Sequence, residues 1–242
     1  MTNTNDELSI GEVAEILDVS IETLRRWDRA GKLQATRTQG GQRRYTLDTL
    51  KPLLEKDLFW NAKLWAMEGD KEPNEMFYCP TRPVFEARNS VMEKLLEGSI
   101  GEVYSLISTS AGEMGNNSFD HNLGKWPDSP GIYFGYSFEQ RKIVLADRGL
   151  GILRTLQQVI PGLTEHSEAL HIAFTEVITG RAPEKRGNGL KYVRRNAENG
   201  YFSLTFQTGN VELTLKAGET IKIENIKKTD STIGGCLALI EF

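Results

Sequence analysis

The feature that most constrains this chain is a pair of short apolar stripes set one turn apart near its start. Ser9 precedes Ile10, Val13, Ala14 and Leu17, and Ser20 precedes Ile21, Leu24 and Trp27. A serine ahead of such a stripe can accept the orphan N–H groups of a first helical turn, so each one marks a helix start. Only Asp18 and Val19 stand between the first stripe and the second cap. Two short helices joined so tightly cross steeply, the spacing of a helix-turn-helix, in which the second helix presents its other face to a DNA major groove. That face carries Thr23, Arg25, Arg26 and Arg29, residue types that reach phosphates and guanine edges.

Beyond Gly31 the segment KLQATRTQGGQRRYT reads as two short strands turning at Gly40-Gly41, where glycine permits positive backbone angles. Arg37, Arg43, Arg44 and Tyr45 lie on this hairpin and extend the expected DNA-binding set. Charge matters at this point because the whole chain of 242 residues carries a formal net charge of -4. No overall basic field draws it to nucleic acid, so double-stranded DNA must be met by this local patch. The segment IGEVAEILDVSIETLRRWDRAGKLQATRTQGGQRRYTLDTL resembles the winged helix-turn-helix of the MerR and excisionase type, in its V-A-x-x-L core, its R-A-G-K-L bend and its G-x-R-x-Y wing. The long dimerising helix that follows in MerR regulators is not evident. Winged helices of this type work in pairs, which makes a homodimer the expectation.

Hydrophobic residues make up 39% and charged residues 26%, which predicts a folded globular chain. Cys79 and Cys236 have neither metal-ligand spacing nor a disulfide framework. With no apolar run near the roughly 20 residues of a membrane span, a cytoplasmic protein without a membrane partner is expected. The organisation read from the sequence is a DNA-binding domain over 1–56, a helical connector over 57–97 and a second domain over 98–242. In the last of these a long helix, two strands across a short turn, a glycine-bearing turn, further helix and four short strands predict an α/β sandwich.

Three segments of that second domain carry chemistry. In Glu113-Met114-Gly115-Asn116-Asn117-Ser118-Phe119-Asp120-His121, residues Glu113, Asn117 and His121 recur every fourth position. They share one helix face with a drift of about 40° per step, so a carboxylate stands one turn from a carboxamide. The apolar run Ile143-Val144-Leu145-Ala146 reads as a buried strand that delivers Asp147-Arg148-Gly149-Leu150-Gly151 to a turn. Arg186-Gly187-Asn188-Gly189-Leu190 runs into a helix, and glycines before a helix start expose backbone N–H groups to an anion. The G-K-[S/T] ending of a Walker A loop is missing.

In this order the three resemble the N-box, the D-x-G-x-G box and the second glycine box of the GHKL ATP-binding fold shared by gyrase, MutL, heat-shock chaperones and histidine kinases. The resemblance covers about residues 98 to 242. It implies an α+β protein whose winged helix-turn-helix precedes a GHKL-type α/β sandwich with a mixed sheet, binding ATP and Mg²⁺. It also implies that Asn117 ligates the Mg²⁺, that Glu113 acts as general base, and that His121 lies near the phosphates. Asp147 would accept a hydrogen bond from the adenine amine, with Gly149 and Gly151 letting the backbone approach. Arg186, Gly187, Gly189 and Leu190 would belong to the triphosphate lid, with Lys185 as a further phosphate ligand. The sequence departs from the family near the last strand, where Gly234-Gly235 is followed by Cys236 and the nearest hydroxyl is Thr232. His166 and His171 lack the context of a phosphoacceptor, which argues against autokinase activity. Two functions are compatible with this reading. One is a regulator whose DNA binding is modulated by nucleotide binding or hydrolysis. The other is a Mg-dependent ATPase or an anti-sigma-like serine/threonine kinase, delivered to DNA or to a protein partner by its helix-turn-helix.

Overall fold

The structure, a computed structural model, describes residues 7–16, 20–46, 49–50, 57–67, 75–177 and 188–242. The chain separates into two compact units, Met1–Asn61 and Ala62–Phe242, and the described residues form an α+β protein with antiparallel sheets.

In the first unit, β1 (Glu7–Ser9) leads directly into α1 (Ile10–Ile16), followed by α2 (Ile21–Arg29), β2 (Thr36–Arg37) and β3 (Arg43–Thr46). Both predicted serine caps form. The Ser9 hydroxyl accepts from the Glu12 N–H at 3.3 Å while the Ser9 N–H donates to Glu12 Oε2 at 2.6 Å, a reciprocal capping box. Ser20 accepts from the Thr23 N–H at 3.1 Å. Val13 and Leu24 meet Leu33, Tyr45 and Leu50 in a small core, with Ile10, Trp27, Ala35 and Trp60 packed around it; Leu17 lies outside the described residues. The expected hairpin closes at Gly41, whose φ is 75° and whose N–H donates to Thr38 O at 2.9 Å. The sequence did not announce β1, which pairs with β3 on the side away from β2 and completes a three-stranded antiparallel sheet.

The second unit is built on a five-stranded sheet in the order β4-β5-β6-β8-β7. Its strands are β4 (Tyr78–Cys79), β5 (Ile132–Ser137), β6 (Lys142–Asp147), β7 (Ser203–Leu215) and β8 (Ile226–Glu241). Every pairing among these strands is antiparallel, which corrects the expected mixed sheet. Two of the neighbouring pairs, β5–β6 and β7–β8, are hairpins, and a hairpin can only be antiparallel. The four short strands expected at the C-terminus are two long ones of 13 and 16 residues.

The helices of this unit are the end of α3 (Leu58–Met67), α4 (Arg82–Ile100), α5 (Tyr104–Asn122), α6 (Gly151–Gln157), α7 (His166–Thr175) and α8 (Gly189–Glu198). One face of the sheet carries Ile132, Phe134, Ile143, Leu145, Leu204, Phe206, Ala238 and Ile240. These join Phe85, Met92 and Leu96 of α4, Ile107 and Met114 of α5, Phe174 of α7 and Val193 of α8 in one continuous core. Residues 82–97, read from sequence as connector, therefore pack into the core of the second unit. The opposite face buries Tyr133, Val144, Ala146, Leu237 and Leu239, and there Tyr133 stacks on Phe77 and meets Trp65. Where one long helix was expected, α4 and α5 are separated by a single 3₁₀ turn over Gly101–Val103 that begins at a φ of 67°. The pair then folds back on itself. Gly115 of α5 lies so near the Phe85 ring that a Cβ there would stand 2.2 Å from Phe85 Cζ.

Candidate functional site

In the first unit, α2 displays Arg25, Arg26 and Arg29 on its exposed side. Arg25 pairs with Glu22 at 3.4 Å and Arg29 with the same carboxylate at 2.8 Å. These contacts are solvent-exposed and worth little, so they hold the guanidinium groups loosely and leave them available to a stronger anion. Thr23 is engaged locally, its hydroxyl 2.9 Å from that of Ser20. Asp28, at the end of the same helix, reaches the hairpin. Its carboxylate accepts from the Ala35 N–H at 3.1 Å and pairs with Arg43 at 2.6 Å and Arg37 at 3.3 Å. The Ala35 N–H first and the Arg43 side chain second hold the Asp28 carboxyl below the usual carboxylate range. One buried-side anion thus brings the cations of β2 and β3 beside those of α2. Arg44 is half-buried, and its charge acts on Glu12. Tyr45 is corrected: it is fully buried in the core of this unit, where a ring anchors β3 and has no surface to offer a groove.

The second unit contains a cavity of about 130 Å³ between the sheet and helices α5, α6, α7 and α8. Four of its wall residues were expected from sequence as polar or backbone contacts: Asn117 and His121 on α5, Asp147 at the end of β6, and Gly189 at the start of α8. Gly151 and Leu190 also line it. The wall between them is apolar, with Met114, Leu145, Ile152, Ile172 and Phe206. Such a lining with few fixed polar groups suits a ring-bearing small molecule.

Asp147 is the polar floor of this cavity. It is 1% exposed, yet its carboxylate is well supplied with donors, from Ser118 Oγ at 2.7 Å, the Gly149 N–H at 2.8 Å and Asn122 Nδ2 at 3.5 Å. Burial raises its pKa from the ordinary value, and the Ser118, Gly149, Cys236 and Asn122 donors oppose that rise. The glycines around it are steric necessities. A Cβ on Gly149 would fall 2.0 Å from Asn122 Nδ2, and one on Gly235 would fall 2.2 Å from Asp147 Oδ1. Gly151 combines a φ of 71° with a Gly234 carbonyl 2.8 Å from its hypothetical Cβ. Arg148, the variable residue of that box, is buried away from the cavity wall. Its guanidinium donates to the Trp65 carbonyl at 3.2 Å, pairs with Asp128 and lies over the Trp65 ring.

At the other end of the cavity α8 begins against α5. A Cβ on Gly189 would be 2.4 Å from Glu113 Oε2 and 3.1 Å from Asn117 Nδ2. The absent side chain at Gly189 thereby places a carboxylate, a carboxamide and the first turn of a helix together. Arg186, Gly187 and Lys185 lie outside the described residues.

The sequence reading missed six polar groups here. Ser118 and Asn122 share α5 with the expected residues, and a second period of four on a neighbouring face was a usable signal. Asn122 also accepts from the Leu150 N–H at 2.8 Å, fixing the turn after Asp147. The hydroxyl that bonds to the glycine pair in the structure is that of Thr208. It donates to Gly235 O at 3.0 Å and accepts from the Ile152 N–H at 3.2 Å, whereas Thr232 is exposed. No local pattern flags Thr208, because its position depends on the pairing of Thr208 with Cys236 across β7 and β8. Thr155, Glu176 and Lys191 complete the missed set in the wall.

Two comparisons with known proteins bear on this arrangement. The MerR family regulatory protein profile matches residues 9–45, so this segment is a MerR-family helix-turn-helix domain. A stretch of 64 residues, 26% of this chain, is 53% identical to the type II methyltransferase M.Eco47II of Escherichia coli. The chain spans 15% of the length of that relative. Among the described residues no helix is long and apolar enough to cross a membrane.

Proposed function

We propose that this chain is a DNA-binding regulator whose second unit is a GHKL-type domain that binds ATP with Mg²⁺, and that nucleotide occupancy modulates DNA binding by the MerR-family module. The observation that supports the second half most directly is convergence. Three segments separated by up to seventy-odd positions in the chain, around Asn117, Asp147 and Gly189, meet in one cavity. In this reading the adenine amine donates to the buried Asp147, and the apolar wall covers the ring. The phosphates lie toward Asn117 and the first turn of α8, where the first-turn N–H groups and the helix dipole favour an anion.

Among the described residues no group of three or more His, Cys, Asp or Glu side chains is arranged to hold a metal. Of the two side chains beside Gly189, Asn117 would be the ligand through its carboxamide oxygen once the amide, whose Nδ2 faces Gly189, is turned over, and Glu113 would stay free of the ion. A single protein oxygen fits Mg²⁺, which keeps most of its shell from water and substrate phosphates and takes only one or two protein oxygens. When bound, the ion would neutralise charge on the phosphate chain. Glu113, adjacent to that position, would hold a water or hydroxyl and take its proton, which favours an ATPase or protein kinase as a second reading.

Isothermal titration with a non-hydrolysable ATP analogue and Mg²⁺ tests the proposal. Micromolar binding by the wild type, lost in both Asp147→Asn and Asn117→Ala, is the expected result. Absence of binding by the wild type removes the nucleotide half and leaves a MerR-family DNA-binding module with an unassigned cavity.

A further inference from the structure

Among the described residues that wall the cavity, Lys191 is the one cation, and the residue of opposite charge beside it is Glu176. Lys191 sits in the first turn of α8, two positions after Gly189, on the same helix end that approaches Glu113 and Asn117. It is half-buried. Burial and the nearby Arg194 lower the pKa of its ammonium, while Glu176 raises it. Glu176 follows the last turn of α7 and is exposed, its N–H bonded to Ile172 O at 2.9 Å. A partly desolvated lysine in the field of an exposed carboxylate, with which it makes no ion pair among the described residues, can accept a stronger anion.

Resting on the nucleotide reading above, we infer that Lys191 is the residue by which the cavity distinguishes a phosphorylated ligand from its uncharged nucleoside, with Glu176 as the carboxylate in the same wall whose charge opposes the phosphate chain. The geometry divides the labour. Asp147 and the apolar wall lie at one end and contain no cation, so they read the ring. Lys191 and the N–H groups of α8 lie at the other, where the ammonium adds a full positive charge to the partial charge of the helix end. Such a hydrogen-bonded ion contact is equivalent to a factor of roughly ten to a hundred in affinity. Glu176 acts in the opposite sense, because its negative charge in the same wall repels an approaching phosphate.

The test titrates wild type, Lys191→Met and Glu176→Gln with two probes, adenosine and a non-hydrolysable ATP analogue with Mg²⁺. Lys191→Met is expected to weaken the triphosphate at least tenfold while binding adenosine as the wild type does. Glu176→Gln is expected to tighten the triphosphate several-fold with adenosine unchanged. Retained adenosine binding shows that the Met variant is folded around an intact ring site. Unchanged triphosphate affinity in Lys191→Met overturns the inference and leaves the nucleotide reading standing. Equal loss of both probes also overturns it, since the lysine would then be supporting the wall. A wild type that binds neither probe overturns the nucleotide reading itself.

Discussion

Asp147 shows how a single buried carboxylate can be costly and useful together. Its burial raises the pKa from the ordinary carboxylate value, so the native chain holds this proton more tightly than the unfolded chain does. Between the usual carboxylate pKa, near about 4, and the raised native value, the unfolded state has released the proton and the native state has not. Stability contributed by this group is therefore full below the usual carboxylate pKa and falls as pH rises through that window. Asp147→Asn has no such proton. Thermal melts of both proteins between pH 4 and 8 should show the Asn variant gaining on the wild type as pH increases, and parallel curves would contradict the assignment. On the proposed function the same variant loses nucleotide, separating a stability role from a binding one. The residue was legible in the sequence because an apolar strand ended on it before two glycines. Its donors Ser118 and Asn122 were less so, and Thr208 was not legible, since its hydroxyl reaches the site through strand pairing across 28 positions.

Elements were legible where their boundaries are set locally. The caps Ser9 and Ser20 fixed α1 and α2, and Gly41 fixed the hairpin between β2 and β3, because each acts on its own turn of backbone. Elements whose limits depend on distant partners were misread. Strands β7 and β8 looked like four short pieces because Gly209 and the pair Gly234-Gly235 interrupt the alternation of side chains. In the structure these glycines lie at register shifts, where Thr208 pairs with Cys236 and Gly209 with Ile233. A bulge bends a strand and adds unpaired residues without ending its ladder. The antiparallel sheet followed from the same long pairing. Helices α4 and α5 looked continuous because the single turn at Gly101 leaves little trace in periodicity.

Their packing makes a sharp prediction about Gly115. Alanine there gains helix propensity worth about 1 kcal/mol, but its Cβ would meet the Phe85 ring at 2.2 Å, and that ring is fully buried. Overpacking of this kind costs about 1–3 kcal/mol, so Gly115→Ala should lower the urea midpoint, and Phe85→Leu in the same chain should restore part of the loss. A midpoint unchanged or raised by Gly115→Ala would show that the helix pair yields more readily than its burial indicates.

At the scale of the whole molecule, two compact units with different chemistry share one chain. The first is a MerR-family helix-turn-helix domain whose arginines supply local positive charge on a chain of net charge -4. The second holds a cavity in which three chemically distinctive segments meet. The account joins them by linkage. If nucleotide binds preferentially to the DNA-competent or the DNA-incompetent state, then DNA must change nucleotide affinity by the same factor, and a ligand with equal affinity for both states would change nothing.

The most direct test is the fluorescence anisotropy of a labelled duplex, selected from random sequence by the protein itself, titrated at fixed salt with and without saturating ATP analogue and Mg²⁺. The account predicts that nucleotide shifts the Kd for DNA by about fivefold or more, corresponding to roughly 1 kcal/mol of coupling, and that Asp147→Asn binds the duplex with no nucleotide effect. Identical DNA affinity with and without nucleotide, in a wild type shown to be nucleotide-bound, would contradict the coupling and leave two independent activities on one chain.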